Sequence, residues 1–531
     1  MTTPGATDQL EVEWQYSVAD TEAVARWLQQ AAVPGYILEP GKTKDLADTY
    51  LDTADWRIHR ARFTCRVRDK GESSELTVKA MAEAVGSMRS RREMNEPLAS
   101  GELPLAAPGL CGELLRLLAG KRELSPIFSL STHRRTFMLS DAIGELGEIA
   151  LDDTTIPRRE GDAVRLARVE VEVTAGCVDR AQRFVDLLVA TANLSPAGTS
   201  KFEAALAATG QTPFNPAANL GSTAVDASQT VGEVAYAVMR KQYAAFVTNE
   251  GGTRLGEDIE GLHDMRVATR RLRAAMSAFR PFLPPRIEAF RVQFGWIAAS
   301  LGEVRDLDVQ LERMAVWRAE VTPAQSEALD AVERLLAARR VLARRRMLFT
   351  LNSRRYDLLV ERFGAFLRRG PMRTHAPGRV PVLAVAPDLV ERRYRKVRKM
   401  GDRIERASAP GEYHLLRIEA KKLRYALEFV GGIYGKQALE FSQRVTGLQD
   451  LLGLHQDADV AIDMLHDMAG ASGRRLAPAS LLAMGAIAER YRVHGADLRK
   501  QFPAVYRPLA GTDWTRLQQL MEHRRAPVPP G

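Results

Sequence analysis

Two stretches of this chain repeat each other at a fixed distance, and that repeat limits the fold more than any other feature. Leu262–Phe279 (LHDMRVATRRLRAAMSAF) parallels Tyr413–Val430 (YHLLRIEAKKLRYALEFV), and Leu301–Leu311 (LGEVRDLDVQL) parallels Leu452–Ile462 (LGLHQDADVAI). His263 and His414 are 151 residues apart, and so are Leu301 and Leu452. Two separated motifs that keep one offset indicate a duplicated unit. From Val231 onward apolar residues follow helical spacing and strand-like alternation stops. Each unit reads as a basic helix followed by one with paired aspartates, Asp306 with Asp308 and Asp457 with Asp459. The Pro-rich stretch HAPGRVPVLAVAPD (His375 to Asp388) separates the halves.

The basic helix has a definite geometry. His263, Arg266, Arg270 and Arg273 are spaced 3, 4, 3 and fall on one face. Met265, Leu272, Met276 and Phe279 fall roughly opposite, toward a core. The second copy sets His414, Arg417, Lys421 and Arg424 against Leu416, Leu423 and Leu427. Two such faces side by side concentrate positive charge and call for an anion. The four aspartates read as salt-bridge partners that hold the basic side chains. Arg344–Arg346 and Arg392–Lys399 either extend the basic surface or are solvated helix faces. The two histidines lack the short ligand spacing of a zinc site.

Charge divides the chain in the same place. Residues 1–225 carry 25 Lys+Arg against 31 Asp+Glu, and residues 226–531 carry 50 against 35. The net +9 is therefore a −6 region followed by a +15 region. Ala208–Thr230 is small, polar and broken by Pro and Gly, so it reads as a linker. The boundaries that follow are 8–207, a linker at 208–230, and 231–520. Three cysteines (Cys65, Cys111, Cys177) exclude a disulfide framework. No run of about 18 apolar residues exists, and no signal pattern opens the chain, so a cytoplasmic protein without a membrane span is expected.

The first region has short runs of β-formers: LEVEWQYSV, ARFTCRVRD, SELTVKA, STHRRTFML, GEIALDD and ARVEVEV. Most alternate with period two. Helices are expected near Thr21–Ala31 and Asp179–Ala192. Many antiparallel strands with few helices point to a closed or strongly curved sheet. The alternating positions are charged. Glu11 pairs with Glu13, Arg66 with Arg68, Arg91 with Glu93, Glu170 with Glu172, Thr77 with Lys79, and Glu148 lies four from Asp152. Alternation alone does not say whether that charged face is the wet outside or the inside. Carboxylates suit Mg²⁺ or Mn²⁺, and arginines suit phosphates.

These residues carry a resemblance. Glu11-Val-Glu13-Trp-Gln15 resembles the Glu-x-Glu-x-Lys signature of the CYTH domain, in the triphosphate tunnel metalloenzyme superfamily. Thr49–Arg68, LTVK with Lys79, RREM with Arg91 and Glu93, THRRT with Arg134 and Arg135, EIALD with Glu148 and Asp152, VEVEV with Glu170 and Glu172, and SKFE with Lys201 follow in order. The resemblance implies an eight-stranded antiparallel β-barrel forming a tunnel, and metal-dependent hydrolysis of a triphosphate. It implies that Glu11, Glu13, Glu170 and Glu172 hold Mg²⁺ or Mn²⁺, and that Arg66, Arg68, Lys79, Arg91, Arg134 and Lys201 clamp phosphates. It further implies that Glu11, Glu13, Lys79 and Arg134 carry the catalytic role. One departure stands out: Gln15 replaces the signature lysine and brings no charge. Lys42, Lys44 and Arg57 are the cations considered as replacements.

The second region resembles a CHAD domain, through HDMRVATRRLR and HLLRIEAKKLRY. That resemblance implies a helical bundle of two related halves and binding of inorganic polyphosphate. The matched positions are His263, Arg266, Arg270, Arg271, Arg273, His414, Arg417, Lys421, Lys422 and Arg424. The expected chain is thus an α+β multidomain protein, a β-barrel tunnel followed by an all-α duplicated bundle. It is expected to hydrolyse inorganic triphosphate, or a related triphosphate, and to bind polyphosphate, with polyphosphate granules as a possible site in the cell. The alternative is a non-catalytic polyphosphate binder with a degenerate tunnel. Nucleic acid is disfavoured as a partner, because the basic face lacks stacking aromatics apart from Tyr425.

Overall fold

The structure, a computed structural model, describes residues 6–70, 73–82, 85–99, 101–158, 160–372, 374–472 and 476–527. It divides into two compact units, one ending at Asn215 and the other beginning at Pro216.

The first unit is built on an antiparallel sheet. Its long strands are β1 (Thr7–Ser17), β2 (Tyr36–Thr53), β3 (Phe63–Asp69), β4 (Ser74–Ala80), β5 (Met88–Leu98), β6 (Leu124–Asp141), β7 (Gly144–Ile156) and β8 (Val164–Val173). They run in the order β5-β4-β3-β2-β6-β7-β8-β1, and β1 also pairs with β5, so the eight close in a ring. A two-residue strand, β9 (Ser195–Pro196), pairs with β1 near Tyr16. Among the described residues five α-helices accompany the sheet: α1 (Thr21–Gln30), α2 (Arg57–Arg60), α3 (Leu110–Ala119), α4 (Val178–Ala192) and α5 (Lys201–Thr209).

Period-two alternation has one outcome here. Val12, Trp14 and Tyr16 on β1 and Val169, Val171 and Val173 on β8 form an apolar face. That face is covered by Val24 and Leu28 of α1 and by Phe184 and Leu188 of α4. Tyr50, Phe128 and Leu130 pack on Phe202 and Leu206 of α5, and Tyr50 and Phe202 also line the ring interior. With the apolar face outward under helices, the charged face has only the ring interior to occupy.

The second unit is helical throughout: α6 (Val231–Thr248), α7 (Glu250–Leu255), α8 (Ile259–Ala278), α9 (Ile287–Glu320), α10 (Pro323–Ala328), α11 (Asp330–Leu351), α12 (Arg354–Arg369), α13 (Val382–Gly401), α14 (Pro410–Val430), α15 (Lys436–Ser472), α16 (Pro478–Tyr506) and α17 (Thr512–His523). The two basic repeats are α8 and α14, and the Asp-containing repeats lie within α9 and α15. Met265, Leu272 and Met276 of α8 join Leu416, Leu423 and Leu427 of α14 in one large core. A smaller core gathers Met314 and Trp317 of α9, Leu336 of α11, Leu465 of α15 and Ile487 of α16. Much of the segment read as a linker is fixed to this unit. Leu220 is buried in the large core, Arg368 donates to the carbonyls of Pro216 and Ala218, and Val231 N–H donates to the Val380 carbonyl. A capping box between Thr230 and Glu233 starts α6. Among the described residues no helix is long and apolar enough to cross a membrane.

Candidate functional site

The interior of the ring is a cavity of about 520 Å³. Strand register fixes who meets whom. Glu11 stands opposite Arg91 and Glu13 opposite Arg89 on β5, while Glu13 stands opposite Glu172 and Gln15 opposite Glu170 on β8. Glu11, Glu13, Glu170 and Glu172 line the cavity together with Arg66, Arg68, Lys79, Arg91, Arg134 and Lys201. A second cavity of about 760 Å³, which Glu148 and Lys44 line, shares Arg68, Glu75 and Arg134 with the first.

The charges pair off in dense networks. Lys79 Nζ lies 2.6 Å from Glu11 and 2.7 Å from Glu93. Arg91 Nε donates to Glu11 at 3.1 Å, and its Nη2 donates to Glu13. Arg134 grips Asp152 with Nε and Nη2 at 2.7 and 2.6 Å and reaches Glu170 at 2.8 Å. Lys201 meets the same two acids, with Glu170 at 3.0 Å. Arg66 donates to Thr77 Oγ1 at 3.0 Å.

Burial and neighbours tune the carboxyls in opposite directions. Burial raises Glu11, with Lys79 opposing it, and burial raises Glu172. Burial would also raise Glu93, but Lys79, Asn95 and Arg66 bring it down to about 2. Against its own burial, Glu170 is driven below the usual carboxylate range by Lys201 and Arg134.

In the helical unit the two repeats bring their basic faces together. Lys421 is pushed down to about 7 by burial and by Arg417, Arg270, Arg266 and Arg424. These five therefore form one cluster drawn from both copies. Arg270 and Arg424 flank the Tyr425 ring, 6.0 and 5.2 Å from its centre. The duplication extends to fine detail. A Cβ built on Gly302 would stand 3.8 Å from Arg266 Nε, and one on Gly453 would stand 3.7 Å from Arg417 Nε. Arg266 and Arg417 thus cross helix glycines at the same 151-residue offset. Among the described residues, Nε of Arg270, Arg273 and Arg417 and Nδ1 of His414 are buried without a hydrogen-bond partner, while Arg424 Nε lies 3.5 Å from Glu428.

The family profile of the CYTH domain matches residues 10–202, and that of the CHAD domain matches residues 237–466. The chain is a CYTH domain joined to a CHAD domain. It is similar to an uncharacterized protein of Mycobacterium tuberculosis, 27% identical over 87% of this chain and 89% of that one. The inorganic triphosphatase of Haemophilus influenzae is 30% identical over 143 residues, 27% of this chain and 40% of that protein. Among solved structures, the CHAD domain from the plant Ricinus communis is 26% identical with a TM-score of 0.47, and 55% of this chain covers 96% of it.

In the CYTH domain the ring interior gathers all ten residues named for metal and phosphate. In the CHAD domain the grouping is partial. Arg271 pairs with Glu428 at 3.2 Å and Lys422 with Glu419 at 2.6 Å, so both are engaged by carboxylates. Arg273 lies beside Gly295 of α9. His263 and His414 sit at equivalent, half-buried places on α8 and α14. Asp306 holds Arg266 at 3.2 Å, whereas Asp308 takes Arg340, Asp457 takes Arg313 and Asp459 faces His455. Arg344 caps the carbonyls that end α7, and Arg346 pairs with Glu303, so these two serve the scaffold.

Several CYTH residues escaped the sequence reading. Buried Asp48 holds Arg68 by two hydrogen bonds and pairs with Arg66 at 3.6 Å. Its signal was its place two residues before Tyr50, on the same strand face. Arg62 and Arg89 also line the cavity. Of the cations considered as replacements at Gln15, Arg57 bonds Asp55 and the Ala119 carbonyl, and Lys44 lines the second cavity. Gln15 itself donates from Nε2 to Glu13 at 2.9 Å and Glu170 at 3.3 Å.

The CYTH family is generally metal-dependent, and the donor set here is all oxygen, which fits a hard divalent ion. Among the described residues no three His, Cys, Asp or Glu side chains converge on one point that would hold an ion. The acids are engaged by Lys79, Arg91, Arg134 and Lys201 instead.

Proposed function

We propose that the CYTH domain is a metal-dependent hydrolase of inorganic triphosphate or a related triphosphate, and that the CHAD domain binds inorganic polyphosphate. One observation carries the first part: the four carboxylates and six cations named for metal and phosphate are among the seven carboxylates and eight cations that line a single cavity inside the ring. Arg66, Arg68, Arg91 and Lys201 hold and orient the phosphate chain. Lys79 and Arg134 neutralise charge that grows on the leaving phosphate, and such chemistry is chiefly positioning and electrostatics. Glu11, Glu13, Glu170 and Glu172 would hold Mg²⁺ or Mn²⁺, which polarises a phosphoryl oxygen and activates water when bound. The five-residue cluster of Arg266, Arg270, Arg417, Lys421 and Arg424 supports the second part, because like charges packed together favour a polyanion.

Phosphate release from tripolyphosphate with Mg²⁺ or Mn²⁺ tests this reading. The native chain should release phosphate and the Glu11→Ala, Glu13→Ala double variant should not. No release under either metal sinks the enzyme and leaves the second reading, a tunnel that binds without turnover. That reading is favoured by the uncharged Gln15 amide bonded to Glu13 and Glu170. For the helical domain, polyphosphate should bind more tightly than single-stranded DNA at matched charge and salt. Equal affinity would count against a dedicated groove.

A further inference from the structure

Two buried guanidiniums of the ring form no ion pair with a carboxylate among the described residues. Arg89 on β5 and Arg168 on β8 are 6% and 3% exposed. Arg168 shares a strand face with Glu170 and Glu172, and Arg89 lines the cavity. By register Arg89 stands opposite Glu13 and Arg168 opposite Ser17, so they flank Gln15 from the two neighbouring strands. Their hydrogen bonds go to main-chain carbonyls: Arg89 Nη1 to Ala82 at 3.3 Å, and Arg168 Nη2 to Thr199 at 2.8 Å. Nε of Arg89, and Nε and Nη1 of Arg168, are buried without a partner among the described residues.

The nearby acids are engaged elsewhere. Glu13 accepts from Arg91 and Gln15, and Glu170 accepts from Gln15 and Arg134. Glu203 accepts from the N–H and hydroxyl of Ser200. Burial lowers Arg168, and Arg89 lowers it further against the pull of Glu170. Two buried like charges that have only the pull of Glu170 and Glu203, with no direct ion pair among the described residues, are unfavourable, and an anion between them reduces the penalty.

We propose that Arg89 and Arg168 form a phosphate subsite beside Gln15 that holds one phosphate of the chain bound in the ring. It supplies the positive charge that Gln15 does not. The proposal rests on the triphosphate reading of the cavity, and makes the lysine-to-glutamine departure a relocation of charge.

The test uses the full chain carrying Arg270→Gln and Lys421→Gln, so that the helical cluster does not compete. The probe is a methylene-bridged, hydrolysis-resistant triphosphate with Mg²⁺, followed by titration calorimetry. Arg89→Gln and Arg168→Gln should each weaken binding about tenfold or more, since each removes charged hydrogen bonds. Arg89→Lys should retain most of the affinity. Gln15→Lys should add little alone but restore binding in the Arg168→Gln background. Should Arg168→Gln fail to fold, Arg89→Gln at the cavity wall decides. Native binding that the Gln variants leave within about twofold, less than one charged hydrogen bond contributes, overturns the subsite alone. No binding by the native ring sinks the triphosphate reading as well.

Discussion

Asp48 holds Arg68 by both edges, with the Nε and Nη2 hydrogens donated to its two carboxylate oxygens at 2.7 and 2.9 Å. The aspartate is buried, and its carboxyl stays below the usual range despite burial because Arg66 and Arg68 stand beside it. The ring thus fixes Arg68, the arginine proposed to hold phosphate, before any ligand arrives.

Breaking that hold should be costly. Asp48→Asn leaves Arg66 and Arg68 without their shared charge and should destabilise the CYTH domain by about 3 kcal/mol. Denaturant unfolding of the full chain should shift the transition of this domain and leave that of the helical domain in place. The native contribution is present above the unfolded carboxyl range and is lost as pH falls through the lower folded value.

Lys421 gives the helical domain a pH signature. Its folded value near 7 lies below the ordinary lysine value, so between them the unfolded chain binds the proton more readily. Stability of this domain should therefore rise with pH across that interval. A bound polyphosphate favours the charged lysine, so binding near pH 8 should take up a proton. Calorimetry in buffers of different ionisation enthalpy reads that uptake directly, and Lys421→Met should abolish it.

Glu172 should separate stability from metal affinity. Burial raises its carboxyl, so at neutral pH its charge disfavours the folded state. Glu172→Gln should leave the melting temperature unchanged or higher, while Mn²⁺ affinity falls by about tenfold. A titration of phosphate release against Mn²⁺ measures the second effect.

The crossing of Arg417 over Gly453 predicts a size limit. Gly453→Ala puts a methyl group at ordinary contact distance from the guanidinium and should stabilise α15 by about 1 kcal/mol. Gly453→Phe should displace Arg417 and weaken polyphosphate binding several-fold. The same pair of outcomes is expected at Gly302 beneath Arg266.

The strands, the repeat and most cavity residues were legible because alternation and helical spacing are local patterns. Which strand face turned inward was not, since that depends on Phe184 and Leu188 arriving from α4 to cover Trp14 and Val171. Asp48 escaped because its meaning lies in Arg68, twenty residues on and across a strand pair. Arg271 and Lys422 look like members of the basic face in sequence, yet Glu428 and Glu419 engage them. Arg89 and Arg168 belong to different strands and share no spacing, so only ring closure brings them to the two sides of Gln15.

The pairing of Lys79 with Glu11 has a further consequence. Each group is the other's placeholder. A guest carrying only negative charge can win the lysine, but it leaves Glu11 with Arg91 as its one remaining cation among the described residues. A guest that arrives with its own cation re-partners both at once. The ring should therefore discriminate by the company an anion keeps as much as by the anion itself, and treat the ion-paired phosphate chain as the object to be recognised.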